Sequence, residues 1–282
     1  MTVRQSRTIF ASLLLALLSG IGFSQSEFIA HISAADLVKA VIRNEVNATN
    51  ASESRWKYLV EKEMGGRQET REVVETKVGS VDRLVAIRGT PLNESEQRDE
   101  TERILKLSHS AKEQHKLEQT HLKDAAQWNA ILQMIPDAFL FEYADERGGL
   151  TKLIFEPSPH FQPSSREGKV LHEMAGEIWV DAKHQRLVSI NGRLTNEVMF
   201  GGGLLGRLEK GGEFHVRRTE IASNNWEVVE IVVNMRGKAL LFKTISVQQK
   251  EVHSNFQPVP EDLSLSDAAG LLLKQALVAA KR

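Results

Sequence analysis

A glycine-rich string is the first part of the sequence whose residue types could bind a ligand. Gly201-Gly-Gly203-Leu-Leu-Gly206 satisfies the pattern G-x-G-x-x-G. A dinucleotide site needs a helix directly after such glycines, because the helix N-terminus receives the pyrophosphate. Here Gly211-Gly212 and a strand-like segment follow instead. The string therefore predicts a bulge or a tight bend in a sheet.

Nine histidines could supply metal ligands, but their spacing does not bring them together. His172-Glu173 lacks the second histidine, four positions on, that a zinc-protease helix carries. His109, His115 and His121 follow one another at intervals of six. At about 100° per residue, that interval scatters them around a helix. We therefore predict no metal site and no cofactor.

Catalytic side chains are equally hard to assemble from the sequence. It contains no G-x-S-x-G motif and no recognisable Ser-His-Asp arrangement. The paired carboxylates Asp99-Glu100 and Glu261-Asp262 lie among polar residues, where no apolar neighbours would tune them for acid–base chemistry. We predict no catalytic residues and a protein that is not an enzyme. A hydrolase whose residues come from distant segments is the least favoured alternative.

The composition is that of a globular chain with no strong net charge. The 282 residues include 36 basic and 37 acidic ones, and 41% are hydrophobic. These values exclude a wholly disordered chain. The balanced charge provides no net attraction to nucleic acid or to anionic lipid. Cysteine is absent, which excludes disulfides, thiolate zinc sites and cysteine nucleophiles.

The first 24 residues predict a signal peptide. Arg4 and Arg7 precede an apolar run over 9–18, and Gly22 and Ser24 provide small side chains at the −3 and −1 positions of a cleavage site. The run is shorter than the roughly 20 residues that a membrane span needs. We expect cleavage near Ser24, a periplasmic location, no later transmembrane span, and a single domain over 25–282.

Three blocks of the remaining sequence predict helices. The first extends from the Ser-Ala-Ala-Asp string at 33–36 to about residue 47, and the last covers about 264–280. The second is a charged helical insertion at about 93–135, opened by Asn93 with Glu96 as a capping box and stopped by Pro136. Its apolar stripe includes Trp128 and Leu132, which we expect to pack on the concave face of a sheet, as we expect of Leu117.

Most other segments predict antiparallel strands, because they are rich in β-branched and aromatic residues and are joined by short turns. The fold class is therefore α+β. The predicted strands are 55–60, 71–78, 83–88, 139–143, 151–155, 176–181, 186–194, 213–221, 226–235 and 238–247. The predicted turns include Gly65-Gly66, Gly79-Ser80 and Arg236-Gly237.

Several apolar side chains share strand faces and have two interpretations. They could form the core between sheet and helices, or they could line a cavity for a hydrocarbon chain, which needs apolar walls and no catalytic group. The candidate lining residues on strands are Phe139, Phe141, Leu153, Phe155, Ile178 and Val180. Trp128 and Leu132 are the candidates from the helical insertion.

The order of elements and several strand motifs resemble the periplasmic lipoprotein-carrier family (LolA-type), which sorts outer-membrane lipoproteins. The motifs are GEIWVD at 176–181, RLVSI at 186–190, Trp226, and RGKALLFK at 236–243, and the resemblance covers about 34–258. It implies an unclosed half-barrel, capped by helices, whose hydrophobic inner face holds lipoprotein acyl chains. The long charged insertion and the glycine-rich string at 201–206 depart from the family pattern.

Two function classes follow in addition to the hydrolase. The first is a periplasmic, non-enzymatic protein that binds a lipid or a lipoprotein acyl chain. The second is an envelope sensor or scaffold of the same fold, whose partner is a membrane protein. A continuous apolar cavity would favour the first class, whereas a filled barrel with an exposed apolar patch would favour the second.

Overall fold

The computed structural model describes residues 32–51, 53–239 and 243–279. The predicted signal peptide lies outside these residues. The helices are α1 (Ala34–Ala51), α2 (Glu94–His109), α3 (Ala111–Ala138), α4 (Arg166–His172) and α5 (Leu265–Ala279). The strands are β1 (Arg55–Met64), β2 (Arg67–Thr76), β3 (Gly79–Ile87), β4 (Thr90–Pro91), β5 (Phe139–Arg147), β6 (Leu150–Pro157), β7 (Met174–Asp181), β8 (Arg186–Leu194), β9 (Val198–Phe200), β10 (Gly206–Leu208), β11 (Glu213–Ala222), β12 (Asn225–Ala239) and β13 (Lys243–Val259).

The strands form one large antiparallel sheet that does not close. Its order is β4-β3-β2-β1-β13-β12-β11-β8-β7-β6-β5, with β9 and β10 as a hairpin attached to the end of β12. Within the described residues β4 and β5 are the edge strands, so the sheet is an open α+β structure consistent with a half-barrel, as predicted. Pairing of β1 with β13 joins the first hairpin to the last strand, so the sheet is not a simple meander.

Local sequence signals determine the ends of the helical insertion. The Asn93 side chain accepts hydrogen bonds from the backbone N–H groups of Ser95 and Glu96, and Glu96 Oε2 accepts one from the Asn93 N–H at 2.8 Å. The predicted capping box is thus confirmed. Pro136, however, lies inside α3, and the prediction that it stops the helix is wrong. A proline there removes only one donor near the helix end, and buried Ala138 keeps the last turn in place.

The prediction of a turn at Arg236-Gly237 is also wrong. Gly237 lies within β12 and pairs with Leu208 on one side and Ile245 on the other. A Cβ at this position would collide with the backbone carbonyl oxygen of Arg207. The glycine therefore permits close approach of β10 and does not mark a turn. Residues 240–242, between β12 and β13, lie outside the described residues.

Two separate hydrophobic cores lie against the sheet. The first core lies between α1, the end of α3 and strands β5–β8, and we call this side of the sheet the inner face. The second core lies between α2, α5 and strands β2–β3. Within the described ranges, none of the helices has both the length and the apolar character required to cross a bilayer.

Candidate binding groove

The structure places six of the eight predicted lining residues in the packed first core. Each of the six is at most 4% exposed: Leu132, Phe139, Leu153, Phe155, Ile178 and Val180. Phe141 is half-buried beside them, with its ring centroid 6.2 Å from that of Phe139. The same core includes apolar side chains of α1, such as Val38 and Val41, each 1% exposed. The first of the two interpretations, a core between sheet and helices, therefore describes these positions.

Trp128 departs from the predicted packing. Its side chain is 41% exposed, so the prediction that it packs on the sheet is wrong. The stripe of α3 is divided between the two cores: Leu117 packs against the second core beside Gly79, and Leu132 belongs to the first. Trp128 lies on the part of the helix that bridges the two cores, and a continuous stripe therefore does not mean continuous burial.

An open groove of about 660 Å³ lies on the outer face of the sheet, opposite the first core. It crosses β6, β7, β8, β11 and β12, and the strand register assigns its side chains to two neighbouring rows. One row is Ile154, Glu177, Asn191, His215 and Val232. The other is Glu156, Ala175, Arg193, Glu213 and Asn234.

Two paired glycines form the floor of the groove. Gly176 and Gly192 are opposite each other in β7 and β8, between Phe155 of β6 and Phe214 of β11. A Cβ at Gly192 would collide with the Phe214 ring, and one at Gly176 would collide with the carbonyl oxygen of Asn191. Because the two glycines have no side chains, the Phe155 and Phe214 rings pack directly against their backbone from the inner side of the sheet. Phe155 is the one predicted lining residue that also borders the groove.

A row of polar contacts crosses the groove. Lys152 Nζ lies 2.5 Å from Glu177 Oε2, and Asn191 Nδ2 donates to Glu177 Oε1 at 3.1 Å. His215 Nδ1 contacts Asn191 Oδ1, and His215 Nε2 lies 3.6 Å from a carboxylate oxygen of Glu230. The hydrogen bond from Lys152 lowers the pKa of Glu177 below its ordinary value. These polar side chains form a strip across the groove between Ile154 and Val232.

Buried charges hold α1 on the sheet near the same strands. Glu45 is 2% exposed and accepts hydrogen bonds from Arg186 Nε at 2.9 Å, Arg186 Nη2 at 3.1 Å and the Leu187 N–H at 2.8 Å. Arg218 Nη1 also contacts Glu45. Burial lowers the pKa of both arginines. The paired charges join α1 to β8 and β11.

A second polar cluster lies where β12 separates from β13. The Tyr58 ring stacks on His253 and Phe256, with centroid distances of 5.3 and 5.0 Å. Glu75 accepts a hydrogen bond from the Trp56 N–H at 3.1 Å. Burial, together with the nearby charge of Glu227, raises the pKa of Glu75 to about 7. Perturbed groups often mark functional sites, yet the contacts of Glu75 are with the protein itself, as in a structural cluster.

The glycine-rich string forms the tip of the β9–β10 hairpin. Gly201, Gly202 and Gly203 form a 3-10 turn with φ of 56°, 63° and 89°. The predicted tight bend is confirmed, and β10 follows it where a dinucleotide site would have a helix. Across the described ranges, no group of three histidine or carboxylate side chains could hold a metal ion.

Sequence reasoning missed the groove because it used only the inward-facing positions. The available signal was a set of apolar residues at the alternate strand positions, whose side chains point to the outer face of the sheet. Ile154, 46% exposed, alternates with the core residues Leu153 and Phe155, and Val232 alternates with half-buried Ile231 and Val233. An apolar residue on a solvent face is common and therefore a weak signal.

Comparisons with known proteins add little to this picture. No protein-family model matches the chain, and no curated protein matches it. Among solved structures, the chain is similar to a DUF1329 family protein from Desulfovibrio piger, with 11% sequence identity and a TM-score of 0.29. That match covers 83% of this chain and 95% of the other. A likeness at this level carries no functional inference.

Proposed function

We propose that the protein is a periplasmic, non-enzymatic binding protein that holds the hydrocarbon chain of a lipid or lipoprotein in the outer-face groove. The observation that carries the proposal is the groove itself. Its volume of about 660 Å³ is within the range of small-molecule sites. Exposed Ile154, with Ala175 and Val232, gives it apolar walls. The predicted signal peptide and the resemblance to lipoprotein carriers support the location and the ligand class.

The energetics suit reversible binding. Full burial of a chain of about 14 methylenes would contribute roughly 11 kcal/mol. In a groove that covers about half of the chain, the contribution would be roughly 5–6 kcal/mol before ordering and association costs. Such an affinity allows release, which a carrier needs.

The groove also has a place for a polar headgroup. Arg193 lies on its wall and is loosely paired, with Nε 3.8 Å from a Glu213 oxygen and both side chains more than half exposed. A ligand carboxylate or phosphate could take the place of Glu213 at this guanidinium, because Arg binds both groups in a bidentate manner.

The second candidate function, an envelope sensor or scaffold, is favoured by a different observation. The side chains of the first core are buried, and three large apolar residues at the tip of the β9–β10 hairpin are more than half exposed. An exposed apolar surface of this kind is typical of a protein-interaction site rather than of a pocket for a carried ligand.

Filling the groove tests the proposed function. The Ala175 side chain lies on the groove wall, so Ala175→Phe should block the space without entering the first core. The matched control is Leu140→Phe, because Leu140 is 54% exposed on the same face and does not line the groove. Binding of a fluorescent C16 fatty acid, measured by titration, should fall about tenfold or more in the first variant and stay unchanged in the second.

The outcome that would contradict the proposal is equal binding by both variants and the unaltered chain. Circular dichroism and a thermal melt serve as the folding control. If no form takes up the probe and lipid extraction of the purified chain yields none, the carrier function is wrong and the scaffold function remains.

A further inference from the structure

The β9–β10 hairpin presents an apolar tip to solvent. We use the name apolar tip for Met199, Leu204 and Leu205, which are 52%, 65% and 56% exposed. Large apolar side chains that adjoin one another in water typically mark an interaction site. The tip contributes little to the first core, whose members in this hairpin are Val198 and, in part, Phe200 and Leu208.

The hairpin holds the tip in a defined conformation. At its base Val198 is 2% exposed, and next to the turn Gly206 pairs with Ala239 of β12. Within the turn, the N–H groups of Leu204 and Leu205 donate to the carbonyls of Gly201 and Phe200, both at 3.2 Å. The leucines are therefore held outward by backbone hydrogen bonds, so little ordering is needed when they enter an apolar medium.

Basic residues surround the base of the tip. The register places Arg207 of β10 opposite Lys238 of β12, and Lys210 and Arg236 lie within three residues of this pair. The carboxylates in the same two segments, 197–210 and 236–238, are Glu197 and Glu209, so the cations outnumber them by four to two. Glu197 lies 3.5 Å from Arg207. The local charge is thus positive in a chain with slightly more acidic than basic residues.

We propose that the apolar tip inserts into the surface of an anionic phospholipid bilayer, with the surrounding cations at the level of the headgroups. Apolar side chains that penetrate the acyl boundary, combined with lysine and arginine at the phosphates, form the known physical basis of peripheral membrane binding. The positive charge selects this partner over a second copy of the chain, which would present the same cations.

The position of the tip relates it to the groove without depending on it. Val232 borders the groove, and Ala239 pairs with Gly206 at the base of the tip. The seven residue steps from Val232 to Ala239 correspond to about 23 Å along β12. A chain docked by its tip would place the groove within about one leaflet thickness of the lipid surface. Membrane docking would hold equally for the scaffold function.

Vesicle sedimentation tests the proposal with the full chain. The probe is a vesicle of phosphatidylcholine and phosphatidylglycerol in about a 2:1 ratio. The double variant Leu204→Ser/Leu205→Ser should lower the vesicle partition coefficient of the protein about tenfold or more. The matched control is Leu122→Ser/Leu140→Ser, which removes two leucines that are each 54% exposed elsewhere, and it should bind like the unaltered chain. Arg207→Gln/Lys238→Gln should weaken binding and reduce its dependence on salt.

A residue-specific measurement separates the tip from every other apolar segment of the chain. Leu204→Trp should be quenched by brominated phospholipid in the same vesicles, whereas Leu140→Trp should not. Equal binding by both serine variants, or no quenching at position 204, would overturn the proposal. A loss of dimer in the tip variant, seen by light scattering without any change in vesicle binding, would also overturn it, because the tip would then bind a second copy.

Discussion

Neutralising Glu45 should be among the most destabilising single changes in the chain. In Glu45→Gln the side chain keeps its size but loses the charge that faces two buried arginines. The Arg186 side chain is 8% exposed and that of Arg218 is 16% exposed, so solvent compensates little. Removing one partner of a buried charge pair typically costs 3–5 kcal/mol, because the remaining charge stays buried without compensation.

The contacts of Glu45 narrow the expected cost of Glu45→Gln. Two hydrogen bonds from Arg186 and one from the Leu187 N–H end on Glu45, and a glutamine can accept bonds through one oxygen only. Glu227 and Glu220 remain as more distant negative charges for Arg186. We therefore expect a loss of about 3–4 kcal/mol in the free energy of unfolding. The control is Glu94→Gln: Glu94 is 94% exposed and lies 4.0 Å from Arg98, and its change should stay within about 0.5 kcal/mol.

Urea denaturation measures both variants. Tryptophan fluorescence is a suitable signal, because the Trp226 ring centroid lies 5.8 Å from the Arg186 guanidinium carbon. If Glu45→Gln costs less than about 1 kcal/mol, the ion cluster does not hold α1 on the sheet, and the reasoning from burial and hydrogen bonding is refuted.

Three further predictions follow from other parts of the fold. The pKa of Glu75 is about 7 when folded against a reference of 4.5, so the folded state binds more protons between these values and the free energy of unfolding should fall as pH rises from 4.5 to 7. Glu75→Gln should flatten this slope in pH-dependent denaturation; an unchanged slope would contradict the assignment. Leu153 is 0% exposed, so Leu153→Ala should lower the free energy of unfolding by about 2–5 kcal/mol. Trp128→Ala should lower it by less than about 1 kcal/mol. If thermal melts show the larger loss for Trp128→Ala, α3 is packed differently. Gly192→Ala should destabilise by about 1–3 kcal/mol through its collision with Phe214, and a neutral result in the same melts would mean that the groove floor is not tightly packed.

Local chemistry determines the parts of the fold that could be predicted. The Asn93 and Glu96 capping box, the Gly65-Gly66 turn and most strand positions depend on neighbours in sequence, and the structure confirms them. Pairing of β1 with β13 depends on residues about 200 positions apart, such as Arg55 and Val259. No local pattern encodes such a contact, so the strand order that places β13 between β1 and β12 was not predicted.

The candidate site illustrates a different limit. The apolar inward positions, such as Leu153 and Ile178, were found correctly as an apolar face, yet packing of α1 against that face decides that it is core. Gly237 could be assigned to a turn or to a close strand approach, and only its two strand partners distinguish these. The groove results from strand register and from a missing Cβ at Gly192. Each of these depends on three-dimensional neighbours.

Photochemical cross-linking tests directly whether the outer-face groove holds a hydrocarbon chain. A C16 fatty acid with a diazirine on its chain is bound to the chain and activated, and the modified residues are mapped by mass spectrometry. If the groove binds the chain, adducts should form on its walls, at Ile154, Ala175 and Val232. Adducts on the half-buried inner-face residues Val216 and Ile231, or no specific adduct at a concentration that saturates the probe, would contradict it.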